Sequence, residues 1–111
     1  MTINQYIENL RSTLPSRPSR QDWNKVEPML SYARAIAKGE DALKAYRSKL
    51  IAKEINTEVN RDTQIAIMFN RDIEPEEYQK YQDFRAACKA KVDDYLANLQ
   101  ATLDKILKEA E

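Results

Sequence analysis

Residues 75–111, PEEYQKYQDFRAACKAKVDDYLANLQATLDKILKEAE, decide the fold. Apolar side chains recur there at every third or fourth position, which is the spacing of one face of an α-helix. Pro75 suits the first helical position because the amide that it lacks would be unpaired there, and Glu76 and Glu77 complement the helix dipole. No glycine or proline follows Pro75. The pattern predicts one helix over 75–110, about 35 residues and ~50 Å long.

A helix of that length needs a cover for its apolar stripe. A compact chain of about 100 residues has a radius of gyration of only ~13 Å. We expect a second long helix, over 41–69, to pair with it in antiparallel fashion through a turn near 70–74. Any part of the stripe beyond the reach of that partner has to contact another chain. The sequence therefore predicts an interaction protein, with a second copy in a homo-oligomer among its expected protein partners.

The carboxyl-terminal end of the 41–69 segment is ambiguous. TQIAIMF, residues 63–69, has β-branched and aromatic residues at alternate positions, which also suits a strand. A lone strand would leave its backbone groups unpaired, and no second strand is evident. The favoured interpretation is a helix that continues to Phe69 and is buried on several sides, with the strand as the alternative.

The tripeptide Asn-Arg-Asp occurs on both sides of this stretch, at 60–62 and again at 70–72. In a helix, ten residues would separate Asp62 from Asp72 by ~15 Å along the axis. Two carboxylates at that distance cannot share a proton or a metal ion. The repeat is therefore interpreted as the charged ends of an apolar segment and not as a catalytic pair.

Local signals divide the amino-terminal part into two helices. Thr2 and Gln5 fit the capping box S/T-x-x-E/Q, so the first helix is predicted to begin at the third residue. Pro15 ends it, since the residue before a proline is disfavoured in the α region. Ser19 is a candidate cap for the second helix. Gly39 is the chain's single glycine and is placed as the C-terminal cap of that helix.

Composition agrees with an all-α protein. The 111 residues include one glycine and four prolines, and residues that favour helices abound. The predicted fold is a single helical domain over 1–111. In it, two short helices in 1–38 pack against a long antiparallel helical hairpin made by 41–69 and 75–110.

Several kinds of chemistry are excluded or disfavoured by composition. The chain has no histidine, so catalytic triads with histidine and imidazole metal sites are excluded. A single glycine excludes glycine-rich phosphate loops. Cys88 lies on the apolar face of the last helix and is expected to be buried. Acidic clusters at 74–77 and 93–94 are interpreted as solvated surface, with a hard cation as the alternative. We expect no enzyme activity, no cofactor and no metal.

Charge gives little reason to expect nucleic acid or membrane partners. Basic and acidic residues number 18 each, so the net charge is zero. Residues 1–38 have six bases against three acids, whereas residues 71–111 have seven bases against ten acids. These two oppositely charged segments are expected to attract each other within one fold or, alternatively, between copies. No signal peptide or membrane span is visible, so the expected location is cytoplasmic, in a bacterial host cytosol or a virion.

Large apolar side chains supply the candidate interface residues. Aromatic anchors often dominate the binding energy of protein interfaces, although packing in the chain's own core is the alternative for each of them. The protein-interface candidates are Trp23, Tyr78, Tyr81, Phe84, Tyr95, Leu99, Leu103 and Ile106.

Two segments resemble a known family. EEYQKYQDFRAAC, residues 76–88, resembles the carboxyl-terminal signature of phage tail-assembly and tail-fibre-assembly proteins. INTEVNRD, residues 55–62, is similar to the helix that precedes that signature in the family. The resemblance spans residues 55–88, about a third of the chain. The resemblance implies a non-enzymatic phage or prophage protein that binds other tail proteins, and it carries over no catalytic residue.

The predicted function is protein–protein interaction without catalysis, as an assembly or structural component of a phage or prophage. The alternative is a small inhibitory protein that binds a host protein, as counter-defence regulators do. An enzyme that works with carboxylates alone is a third possibility, and it would require an acidic pair in a partly buried pocket.

Overall fold

A computed structural model describes residues 1–109. In that range no residue lies in a β-strand, so the predicted all-α fold is confirmed and the alternative of a strand at residues 63–69 is wrong. The five helices described are α1 (Ile3–Ser12), α2 (Arg20–Lys38), α3 (Glu40–Glu58), α4 (Arg61–Phe69) and α5 (Pro75–Glu109).

Most helix ends lie where the local signals predict them. The Thr2 side chain accepts a hydrogen bond from the Gln5 amide while the Gln5 side chain accepts one from the Thr2 amide, which completes the capping box of α1. Ser19 and Asp22 form the same reciprocal pair at the start of α2. Gly39 ends α2 with φ of +119°, a left-handed conformation that residues with a Cβ rarely adopt.

The predicted helix over 41–69 is wrong at one point, because the structure divides it into α3 and α4. The Asn60 side chain accepts a hydrogen bond from the Thr63 amide at 2.8 Å, so Asn60 is the N-cap of a new helix. Asn70 is the C-cap of the same helix. The two Asn-Arg-Asp copies therefore mark the two ends of α4. In addition, α2 has 19 residues, as many as α3, and is not a short helix.

The chain forms two compact units, and α3 and α5 contribute to both. Unit 1 contains Met1–Tyr46 and the residues from Leu96 onward. Its core is built on Tyr6, Tyr32 and Leu103, and the Tyr32 hydroxyl donates a hydrogen bond to Gln100 Oε1. Further apolar side chains pack against these three, namely Met1, Ile3, Leu10, Met29, Ile36, Leu43, Tyr46, Leu96, Leu99, Ile106 and Leu107.

This packing corrects a central expectation about α5. The apolar stripe near its carboxyl-terminal end was predicted to extend beyond the cover that its own chain provides. Leu103 is instead only 1% exposed, and the neighbouring leucines and isoleucine of the stripe pack on the same core. The sequence predicts that two amino-terminal helices pack against the hairpin, but it does not predict that they and the beginning of α3 cover this end of the stripe. This end of α5 therefore gives no reason to expect a second chain.

Unit 2 comprises Arg47–Tyr95. Ion pairs connect α3 to α5 within it, from Arg47 to Asp93 at 2.7 Å and from Glu54 to Lys91 at 2.6 Å. Both pairs are largely exposed and contribute little to stability. A helical hairpin requires contact between α3 and α5, and these ion pairs provide it. An antiparallel hairpin over the full lengths of both helices stays a prediction. The buried residues of unit 2 are Ile51, Ile55, Tyr81, Cys88 and Val92.

Cys88 is buried, as predicted, and is 5% exposed. Burial raises the pKa of its thiol, and the carboxylates of Glu54 and Glu58 raise it further. Because a higher pKa leaves less thiolate at a given pH, we expect slow alkylation of the folded protein by iodoacetamide at pH 8 and rapid alkylation in urea. Mass spectrometry over time measures both rates. Equal rates in the two conditions would contradict the buried position.

Candidate protein-interaction surface

Among residues 1–109, the three most exposed large apolar side chains lie on α4 and in the turn that follows it. Phe69 is 83% exposed and Ile73 is 79% exposed, while Ile65 and Met68 have exposures of 46% and 40%. These four residues are called the α4 surface below. None of the nine residues of α4, all of which the structure describes, is buried. The expectation that residues 63–69 are buried on several sides is therefore wrong.

Helical spacing explains why the three residues of the α4 surface that lie within α4 share a face. Residues 65, 68 and 69 stand in an i, i+3, i+4 relation, so their side chains lie on one side of α4. The Asn60 cap begins a helix of only nine residues. A helix this short has little surface with which to contact a neighbouring helix. Apolar spacing of this kind usually indicates a buried face, but in α4 that face is exposed.

A polar contact holds α4 to the rest of unit 2. The Tyr81 hydroxyl of α5 donates a hydrogen bond to Gln64 Oε1 at 2.8 Å. Gln64 Nε2 in turn donates to Asn56 Oδ1 and to the Val59 carbonyl, both at 2.7 Å. Gln64 is thus bonded to α5 and to the end of α3 at once. This arrangement fixes α4 in place while its apolar face remains open.

Beneath the α4 surface lies an open groove of about 670 Å³. Its apolar part is contributed by Tyr81 and by the three residues of the α4 surface that lie within α4, while three arginines and one aspartate supply the charges. The groove is lined by Arg61, Gln64, Ile65, Met68, Phe69, Arg71, Asp72, Tyr81 and Arg85. Its rim is therefore predominantly cationic.

Arg85 has an unusual position in this groove. Its guanidinium carbon lies 5.9 Å from the centroid of the Tyr81 ring, within the range of a cation–π interaction. Its Nε atom is buried and has no hydrogen-bond partner among the residues that the structure describes. A buried donor without a partner lowers stability by about 1–3 kcal/mol.

A second depression, of about 550 Å³, includes Ile73 and has the opposite charge. It is lined by Ile73, Glu74, Pro75, Glu76, Glu77 and Lys80. A hydrogen bond between the Glu74 and Glu77 side chains, together with their repulsion, raises the pKa of Glu74. An apolar side chain, Ile73, is therefore flanked by crowded carboxylates at the start of α5.

The predicted interface residues are divided between surface and core. Trp23 and Tyr95 are each 41% exposed, whereas Tyr78 and Phe84 are half-buried. Tyr81 is buried and lines the groove.

The three remaining candidates are packed inside unit 1. Leu103 is buried, and Leu99 and Ile106 are half-buried against the same core. Leu103 is therefore a core residue and not an interface residue in this conformation, because α1 and α2 cover it.

Sequence reasoning missed the four residues of the α4 surface and the arginines around them. The signal that could have revealed them is Asn60, a strongly preferred N-cap residue two positions before Asp62 in the first helical turn. Recognising that cap would have separated residues 61–69 from α3. The short helix that remains could not have been expected to bury all of its apolar residues.

Two further observations concern other kinds of site. Among residues 1–109, no group of three or more cysteine, aspartate or glutamate side chains is placed to hold a metal ion. Within the same range, no helix has an apolar stretch long enough to cross a lipid bilayer.

Comparison with known proteins assigns no family. No protein-family model matches the chain, and neither a curated protein nor a solved structure matches it significantly. The resemblance of residues 55–62 and 76–88 to phage tail-assembly proteins accordingly stays a prediction.

Proposed function

We propose that the chain is a non-enzymatic protein–protein interaction module that binds its partner through the α4 surface. The observation that carries this proposal is the exposure of three apolar side chains on one face of α4, with Phe69 at 83%, and of Ile73 at 79% in the turn that follows. Contiguous apolar surface on a folded protein marks interaction sites more often than isolated apolar residues do.

Burial of this surface would supply a substantial part of a binding free energy. Full burial of an exposed Phe side chain contributes about 1.5–3 kcal/mol. Phe69 alone would therefore contribute up to about 3 kcal/mol before the cost of association is subtracted. The polar contacts of Gln64 hold α4 in position beforehand, so little ordering is needed on binding.

The context we propose is assembly of a phage or prophage particle. The two segments that resemble tail-assembly proteins, 55–62 and 76–88, lie on either side of the α4 surface in the sequence. The exposed apolar residues thus lie in the interval between them. An assembly component would bind a protein of the particle, which includes a second copy of itself, through this surface.

Replacement of Phe69 by serine tests the proposal. Phe69 is exposed, so the change should leave helical content and thermal stability unaltered while it weakens partner binding at least about tenfold, as loss of an interface anchor does. Partners are identified by affinity capture from the native host, purified, and titrated by calorimetry against each variant. Tyr95→Ser is the matched control, since Tyr95 is an exposed aromatic residue outside the α4 surface.

Equal affinities of the Phe69→Ser variant and the wild-type chain for the purified partner would overturn the proposed binding surface. The identity of the partner separates the two candidate functions. A particle protein supports the assembly role, whereas a single host protein inhibited in a stable complex supports the alternative of an inhibitory binder.

A further inference from the structure

The partner of the α4 surface can be inferred from the charges around it, and this inference rests on the proposed function. Arg61 and Arg71 are exposed at the rim of the groove, and Arg85 is half-buried in its wall. A matching partner presents an apolar side chain to the floor and carboxylates to the rim. Arginine is well suited to such contacts because its planar fork pairs with both oxygens of a carboxylate.

The chain itself carries a segment with that chemistry. Ile73 is 79% exposed, and Glu74, Glu76 and Glu77 surround it, all of them exposed. The required pattern of one protruding apolar side chain among carboxylates is thus present at the beginning of α5. It directly follows the groove in the sequence, since Arg71 and Asp72 line the groove and Ile73 lines the acidic depression.

We propose that the α4 surface is the interface of a two-fold symmetric homodimer. Ile73 of each copy enters the groove of the other, and its glutamates face the partner's arginines. A two-fold interface requires a self-complementary surface, in which patch A contacts patch B and patch B contacts patch A. The cationic groove and the acidic depression satisfy that requirement because they are adjacent, opposite in charge and joined by the apolar residues of the α4 surface.

Charged groups on both sides of the contact would gain partners in this dimer. The carboxylates of Glu74 and Glu77 are crowded together, and this crowding raises the pKa of Glu74. An arginine from the second copy would relieve their repulsion. The guanidinium of Arg85 lines the same groove and would face the incoming carboxylates. Dimerisation would thus relieve the repulsion between Glu74 and Glu77 in each copy.

Charge reversal followed by mixing tests this arrangement. The first variant is Arg61→Glu with Arg71→Glu, and the second is Glu74→Lys with Glu77→Lys. Each variant alone would place like charges against each other at both halves of the interface. We therefore expect the dissociation constant of its dimer to rise at least about tenfold. In an equimolar mixture both halves regain opposite charges, and a heterodimer should form. Sedimentation velocity over a series of concentrations measures all three samples.

Matched controls reverse the same number of charges on exposed residues of unit 1. These are Arg17→Glu with Arg34→Glu, and Glu8→Lys with Glu27→Lys. Both controls should dimerise as the wild-type chain does. A second readout avoids charge reversal altogether. Met68→Cys and Ile73→Cys chains, when mixed under mild oxidation, should form a disulfide between copies, and the buried Cys88 should not interfere.

Three results would overturn the homodimer. These are a wild-type chain that stays monomeric at every concentration, a dimer that Phe69→Ser leaves unchanged, and reversed variants that stay monomeric when mixed although circular dichroism shows them folded. If a reversed variant loses its helical content, the cysteine cross-link decides instead. A monomeric wild-type chain whose binding to another purified protein still depends on Phe69 would refute this inference alone and leave the proposed function intact.

Discussion

Replacement of Leu103 by alanine is expected to lower the free energy of unfolding by about 2–5 kcal/mol. Leu103 is 1% exposed and lies at the centre of the unit 1 core, beside Tyr6 and Tyr32. Removal of its side chain takes away apolar burial and leaves a cavity that the surrounding helices can fill only in part. A domain of this size has a total stability of about 5–15 kcal/mol, so the loss is a large fraction of it.

Urea denaturation followed by circular dichroism measures this loss. Leu107→Ala is the matched control, because Leu107 is a leucine of the same helix that is only half-buried against the same core. It should lower the free energy of unfolding by clearly less than Leu103→Ala does. Equal losses for the two variants would show that Leu103 does not occupy the centre of the core.

Replacement of Tyr81 by alanine is expected to lower the free energy of unfolding by about 3 kcal/mol or more. It should also detach α4 from the rest of unit 2. Tyr81 is 7% exposed, packs under Arg85, and donates the hydrogen bond that α5 gives to Gln64. A nine-residue helix is not stable in isolation, so α4 depends on contacts of this kind. The amides of residues 61–69 should then exchange with deuterium much faster, and the groove beneath the α4 surface should lose its shape.

Tyr81→Phe separates the ring of Tyr81 from its hydroxyl. It keeps the packing and removes the hydrogen bond, so its cost should be about 0.5–1.5 kcal/mol. Hydrogen–deuterium exchange with mass spectrometry resolves the α4 peptides in both variants. If exchange in α4 is unchanged in Tyr81→Ala, then other contacts hold this helix and the role given to Tyr81 is wrong.

Helix boundaries were predicted at four positions where a single residue type determines the backbone. Thr2 and Ser19 begin helices because their hydroxyls can accept a backbone hydrogen bond. Gly39 ends one because it tolerates a positive φ, and Pro75 begins one because it needs no amide partner. Each of these signals acts over three or four residues. Such signals can be read without knowledge of the tertiary structure.

The exposed surface was not predictable in the same way. Periodicity shows that Ile65, Met68 and Phe69 share a face, but it does not show whether that face meets the core or the solvent. That depends on where α4 is attached, which Gln64 and Tyr81 determine through a contact 17 residues apart. The cover of Leu103 by α1 and α2 is likewise a tertiary property. Both errors therefore concern which side of a helix the rest of the chain covers.

The absence of buried side chains in α4, a helix that the structure describes in full, has a consequence for evolution. Substitutions at solvent-facing positions usually change folding stability by less than about 0.5 kcal/mol. Selection for a well-packed interior therefore places little constraint on this helix. Its apolar residues can change with little cost to folding, so binding specificity can diverge while the fold is retained.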